Sequence, residues 1–162
     1  MICPPRQIIS GPVNEAAQHV EELHIDVDEF YYQLCTLSLG PLPCNQALWV
    51  LRVTNCVLLT VAPLSRGATF PQLSKLHLKF CGVSLVDLRG IADAAPCLAK
   101  FHLESPCIVS PYGETFHRCQ LIFPAVTALV FSGCICQWEN IHLLELDVPR
   151  MEFFKYEDCI QC

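Results

Sequence analysis

The sequence predicts an α/β solenoid: one curved parallel sheet built strand on strand, with short helices and loops on its outer side. Three observations predict it. A short pattern, apolar-x-x-apolar-x-apolar, occurs six times in phase. A proline stands two residues before four of the six copies. Apolar residues make up 52% of the 162 and charged residues only 16%, so the chain is able to bury a sizeable core and too weakly charged for a disordered tail.

The six copies are Val20-Leu23-Ile25, Leu48-Leu51-Val53-Cys56, Leu73-Leu76-Leu78-Cys81, Leu98-Phe101-Leu103, Val126-Leu129-Phe131-Cys134 and Met151-Phe154-Tyr156-Cys159. Their anchors step by 28, 25, 25, 28 and 25 residues, and an apolar residue follows the Cys position at Phe30, Leu58, Val83, Ile108 and Cys136. This is the leucine-rich-repeat pattern L-x-x-L-x-L-x-x-N/C-x-L, with a period in its usual range. Each copy supplies one short strand whose apolar residues alternate inward, as Leu76 and Leu78 do, while the residue between points out. No single repeat buries its apolar face, so the core exists only between stacked neighbours.

The other elements follow from local chemistry. Pro71, Pro96, Pro124 and Pro149 lack an N–H and restrict the residue before them, which suits the segment entering a strand. Ser84-Leu-Val-Asp87 resembles a helix-start capping box and leads into Leu88 and Ile91 at helical spacing. Residues 14–20 read as a short capping helix that closes an N-terminal segment, 1–19. The repeat domain then spans 20–162, as five full repeats and a partial sixth, and Pro111-Tyr-Gly113 marks a turn in one return segment.

Two longer stretches narrow the family. Phe70-Pro-Gln-Leu-Ser-Lys-Leu-His-Leu-Lys-Phe-Cys81 and Leu146-Asp-Val-Pro-Arg-Met-Glu-Phe-Phe-Lys-Tyr156 resemble the leucine-rich-repeat region of plant F-box/LRR proteins. Val20-Glu-Glu-Leu-His-Ile-Asp-Val27 and Gln46-Ala-Leu-Trp-Val-Leu-Arg-Val53 look similar to that family's opening repeats. The resemblance covers roughly residues 14–159. It implies a substrate receptor of an SCF-type ubiquitin ligase, in which an F-box binds a Skp-type adaptor and the repeats select the protein to be ubiquitylated. No F-box signature precedes the repeats here, so adaptor binding is not inherited, and a truncated product or a fragment of a longer gene is the expectation.

Twelve cysteines without a secretory leader or an Asn-x-Ser/Thr sequon predict reduced thiols and a cytoplasmic or nuclear protein. Cys56, Cys81, Cys134 and Cys159 share one repeat position and read as a column of small buried hydrophobes. A zinc site from Cys134, Cys136, Cys159 and Cys162 is the weaker alternative, since the repeat already explains all but Cys162. The uncharged stretch 119–138 contains Pro124, Ser132 and Gly133 and is read as a buried strand with its loops, not a bilayer span.

The outward positions carry the candidate site. The central column runs His24, Arg52, His77, His102, Val130, Lys155. One flanking column runs Glu22, Val50, Lys75, Lys100, Ala128, Phe153; the other runs Asp26, Thr54, Lys79, Glu104, Ser132, Glu157. The middle repeats therefore group Lys75, His77, Lys79, Lys100 and His102 on the concave face, a patch suited to an acidic or phosphorylated segment of a protein partner. His77 and His102 are expected about 5 Å apart, close enough to share a metal or a phosphate, although no carboxylate or Cys completes a catalytic set around them.

Phosphate loops, dinucleotide fingerprints and zinc-protease motifs are absent, so no enzyme, cofactor or metal is predicted. A net charge of −6 and a pI near 5.4 argue against nucleic acid. The function expected is a protein-interaction module resembling a substrate-recognition region. The alternatives are a remnant fragment without independent function and, more weakly, a Cys-rich metal-binding protein.

Overall fold

A chain that alternates apolar and polar residues over five positions, then repeats the pattern 25 or 28 residues later, buries one face only by stacking like positions on like. The computed structural model shows that stacking. It describes residues 18–27, 36–39, 44–61, 69–109, 119–133, 135–136, 144–157 and 160–161. Its elements are β1 (Glu22–Asp26), β2 (Thr36–Ser38), β3 (Val50–Thr60), β4 (Lys75–Ser84), α1 (Leu85–Ala94), β5 (Lys100–Glu104), β6 (Cys107–Val109), β7 (Cys119–Ile122), β8 (Ala128–Ser132), β9 (Ile135–Cys136), β10 (Leu144–Asp147), β11 (Phe153–Glu157) and β12 (Ile160–Gln161).

Every strand pairing is parallel. One row runs β1, the first half of β3, the first half of β4, β5, β8 and β11. Register follows the repeat: Leu23, Leu51, Leu76, Phe101, Leu129 and Phe154 are successive partners, and so are Ile25, Val53, Leu78, Leu103, Phe131 and Tyr156. A second row runs β2, the later half of β3, the later half of β4, β6, β9 and β12. The molecule is a parallel β-solenoid with one main sheet and little helix, consistent with a leucine-rich-repeat-like solenoid.

Between the rows the backbone turns a corner at a recurring position. Asn55, Phe80, Ser105 and Gly133 all take positive φ, at 58°, 50°, 46° and 61°. Behind the corner the Cys position points inward: Cys56 and Cys81 are partners in register and fully buried. The Cys81 thiol donates to the Val53 and Lys79 carbonyls at 3.4 and 3.2 Å, and the Cys56 thiol to that of Leu58 at 3.3 Å. Cys134, Cys159 and Cys162, invoked for the column or for zinc, lie outside the described residues.

The repeat shifts by one residue after Cys56. The sequence pattern aligns Leu58 with Val83, but Leu59 is the partner of Val83 and is fully buried, while Leu58 is half-buried. A register irregularity between Cys56 and Leu59 inserts the extra residue. Beyond it the column resumes as Val83, Ile108 and Cys136; Phe30 lies outside the described residues.

Each predicted strand entry is a turn. The amide of Leu73 donates to the carbonyl of Phe70, Leu98 to Ala95, Val126 to Phe123 and Met151 to Val148, so each proline occupies the second turn position, where its fixed φ fits and no N–H is required. One step on, the carbonyl just before each strand accepts from two amides of the next repeat: Ser74 and Lys75 donate to Trp49, Ala99 and Lys100 to Ser74, Thr127 and Ala128 to Ala99.

The outer side carries the expected helix and, beside it, short strands. α1 starts where predicted: Ser84 accepts from the Asp87 amide, and Leu85, Leu88, Ile91 and Ala94 face the core. Asp87 does not close a reciprocal box. Its carboxylate takes the Val61 amide at 2.9 Å, tying the helix to the preceding repeat. In the next two repeats the equivalent side carries β7 and β10, a parallel pair, and Arg89 Nε of α1 donates to the Gln120 carbonyl of β7 at 3.0 Å. The N-terminal helix expected over 14–20 is seen only as a 3₁₀ turn at 18–19, residues 14–17 and the Pro111–Gly113 turn lying outside the described residues. Within 119–138 the described chain forms β7, β8 and β9, and among the described residues no helix is long and apolar enough to cross a membrane.

Two glycines are required by this packing, for different reasons. A Cβ at Gly82 falls on the carbonyl oxygen of Val57, backbone that cannot yield. A Cβ at Gly133 comes 2.7 Å from the Ser105 hydroxyl, a mobile atom, at a positive φ. In urea unfolding, Gly82→Ala is expected to cost about 3 kcal/mol or more and Gly133→Ala about 1–2 kcal/mol. Equal costs would contradict the close approach at Gly82.

Candidate functional site

The register that builds the core also lays out the opposite face. Each inward residue is flanked by two outward ones, so the predicted columns appear in order: His24, Arg52, His77, His102, Val130 and Lys155 are successive partners, flanked by Glu22, Val50, Lys75, Lys100, Ala128 and Phe153 on one side. The other flank runs Asp26, Thr54, Lys79, Glu104, Ser132 and Glu157.

Across this face runs an open groove of about 590 Å³, lined by the middle members of the first two columns and Phe153 together with Leu76, Phe101, Thr127 and Glu152. Of the five residues singled out from sequence, Lys75, His77, Lys100 and His102 line it. Lys79 does not. Its ammonium sits 2.6 Å from Glu104 Oε1, at the corner end of the same face. Lys75 lies 5.4 Å over the Trp49 ring, a residue the sequence reading did not select. Arg52, Lys75 and Lys100 have no carboxylate partner among the described residues, and Lys75 and Lys100 are direct neighbours across the ladder.

The histidines meet as expected, with an addition. His77 and His102 stack with centroids 4.3 Å apart and planes within 6°. Glu104 joins them, its Oε2 3.3 Å from His77 Nε2. The sequence reading saw no carboxylate completing the pair. Glu104 was legible as the register partner of Lys79, two residues after His102 on the same strand, and it leans back toward β4.

The two titrating groups are displaced in opposite senses of charge. Burial pushes the His102 imidazole below the ordinary histidine value, with His77, Lys155 and Lys79 adding to the effect and Glu104 opposing it. The hydrogen bond from Lys79 holds the Glu104 carboxyl below its usual range; partial burial opposes this, and the Lys79 charge and His77 reinforce it.

Both shifts weaken the fold in acid. The unfolded chain protonates its histidine at the ordinary value, about 6.5, before folded His102 does, so stability declines as pH falls through that value. Glu104 contributes stability above its unfolded value, about 4.3, and loses it as pH falls toward the folded one. Urea midpoints followed from neutral to acid are therefore expected to fall in two stages, His102→Gln removing the upper and Glu104→Gln the lower. A profile that His102→Gln leaves unchanged would contradict the assignment.

The chain matches no known family model, no curated protein and no solved structure. Its architecture, a solenoid with an open outward face, is compatible with a protein-binding module.

Proposed function

We propose that this chain is a non-catalytic protein-binding module whose groove selects an acidic or phosphorylated segment of its partner. One observation carries the reading: Arg52, Lys75 and Lys100 project from adjacent strands into a single groove without a carboxylate partner among the described residues. Two lysines fixed side by side repel each other, and an anion bridging them relieves that repulsion. The groove is long enough to span strands β3 to β11, which suits an extended segment better than a small compact ligand.

This reading fits what the resemblance to F-box/LRR proteins implies, a repeat region that chooses the protein to be ubiquitylated. Adaptor binding is no part of the proposal. The proposed compartment is a reducing one, the cytosol or nucleus, which suits cysteines packed into the core as small hydrophobes at Cys56 and Cys81.

The test is fluorescence anisotropy with acidic and phosphoserine-containing peptides against neutral peptides of matched length. Acidic peptides are expected to bind more tightly and to weaken as salt rises. Lys75→Glu with Lys100→Glu is expected to reduce that binding more than tenfold, about 1.4 kcal/mol or more, whereas Lys79→Glu, outside the groove lining and already paired with Glu104, has a smaller effect. Peptides that bind regardless of charge, or a double variant that binds as the parent does, would refute the proposal.

A further inference from the structure

The geometry points to a divalent metal site on the outward face, made by His77, His102 and Glu104 and suited to zinc. The site stands on observations other than the lysines of the groove, and it holds whether or not the groove takes a peptide.

Each of the three residues offers a ligand atom, and these atoms all lie within 4.8 Å of one another. His77 Nε2 and Glu104 Oε2 are already 3.3 Å apart, close to the spacing of about 3.4 Å between neighbouring ligands around tetrahedral zinc. The His77 and His102 rings stack nearly parallel, with centroids 4.3 Å apart, so both must turn about the broad imidazole torsion before their nitrogens converge on one ion. The strands need not move. His77 lies between Leu76 and Leu78, and His102 between Phe101 and Leu103, all four buried, so the ladder holds both imidazoles on the same face.

Two imidazoles and one carboxylate form a nitrogen–oxygen set that suits zinc. Thiolate is absent from it, because Cys56 and Cys81 face the core. His77 and Glu104 remain 29% and 31% exposed, which leaves the remaining coordination positions open toward solvent. Three protein ligands with an open position is the arrangement of an accessible zinc site rather than a closed structural one.

Lys79 is the built-in competitor. Its ammonium holds Glu104 Oε1 at 2.6 Å, as a cation already in place beside the site, and a metal ion must act against its charge. Removing Lys79 should therefore tighten metal binding, an effect that a merely structural role for the cluster would not produce.

The experiment is a titration of the full chain with zinc chloride near neutral pH, followed by the imidazole resonances of its six histidines. The His77 and His102 resonances are expected to shift together and saturate, while the other four stay in place. His102→Gln and Glu104→Gln are each expected to weaken zinc about tenfold or more, and Lys79→Gln to strengthen it severalfold. Cobalt substitution should give a spectrum free of thiolate charge-transfer bands. Because thermal melts report folding of each variant separately, a misfolded substitution leaves the parent shifts and Lys79→Gln to decide. No saturable shift of His77 and His102, an affinity indifferent to His102→Gln and Lys79→Gln, or binding through thiolates would overturn the proposal.

Discussion

Parallel register between successive repeats is the constraint on which everything else in this molecule depends. In each of the five first-row pairings, the same repeat position meets itself: Leu76 meets Phe101 and Phe101 meets Leu129. A slip of one residue would exchange the two faces, carrying His77 and His102 into the core and Leu76 and Leu78 into water. That exchange sets imidazoles against residues 2% exposed or less, so the register is strongly specified in the middle of the stack. At β11 it has less support. Phe154 and Tyr156 hold the inward positions there yet are 46% and 58% exposed, because among the described residues no strand covers them from beyond.

The constant unit is shorter than the repeat. From the proline turn to the corner the chain keeps one length, Phe70 to Phe80, Ala95 to Ser105, Phe123 to Gly133. The three-residue difference between repeats of 25 and 28 falls after the corner, in the return segments. A turn whose carbonyl accepts from a fixed position, followed by a ladder whose carbonyls accept from the next repeat, leaves no slack for an inserted residue. The return segments lack that double constraint, which is why a helix in one repeat and short strands in the next serve the same side.

The same distinction explains what was legible in the sequence. The six core strands and the outward columns were readable because alternation with a period of two, anchored by proline, fixes both faces at once. The corner was not. Asn55 and Gly133 suit positive φ, but Phe80 and Ser105 share no chemistry with them, so tertiary pairing imposes the conformation at that position. The outer strands were not legible for a similar reason. Leu85, Leu88 and Ile91 have helical spacing, whereas Cys119-Gln-Leu-Ile122 is too short to show any period, and its strand exists through its partner β10. Leu59 displaced Leu58 because a bulge adds a residue without leaving a mark in the pattern.

For the site, position was legible and pairing was not. Three lysines in one patch suggested a uniform basic surface, and five residues were grouped as one cluster. The ladder divides them. Lys75 and Lys100 precede the histidines and meet each other across the ladder, with no carboxylate opposite them, so the charge there is additive. Lys79 follows them and meets Glu104, so the charge there cancels. Four residues along a strand, about 13 Å of rise, separate an anion-seeking end of the face from an end where a carboxylate stands beside the imidazoles. A column read down one repeat position shows residue types; only the neighbour across the ladder, 25 residues away in sequence, decides whether a lysine is available or already engaged.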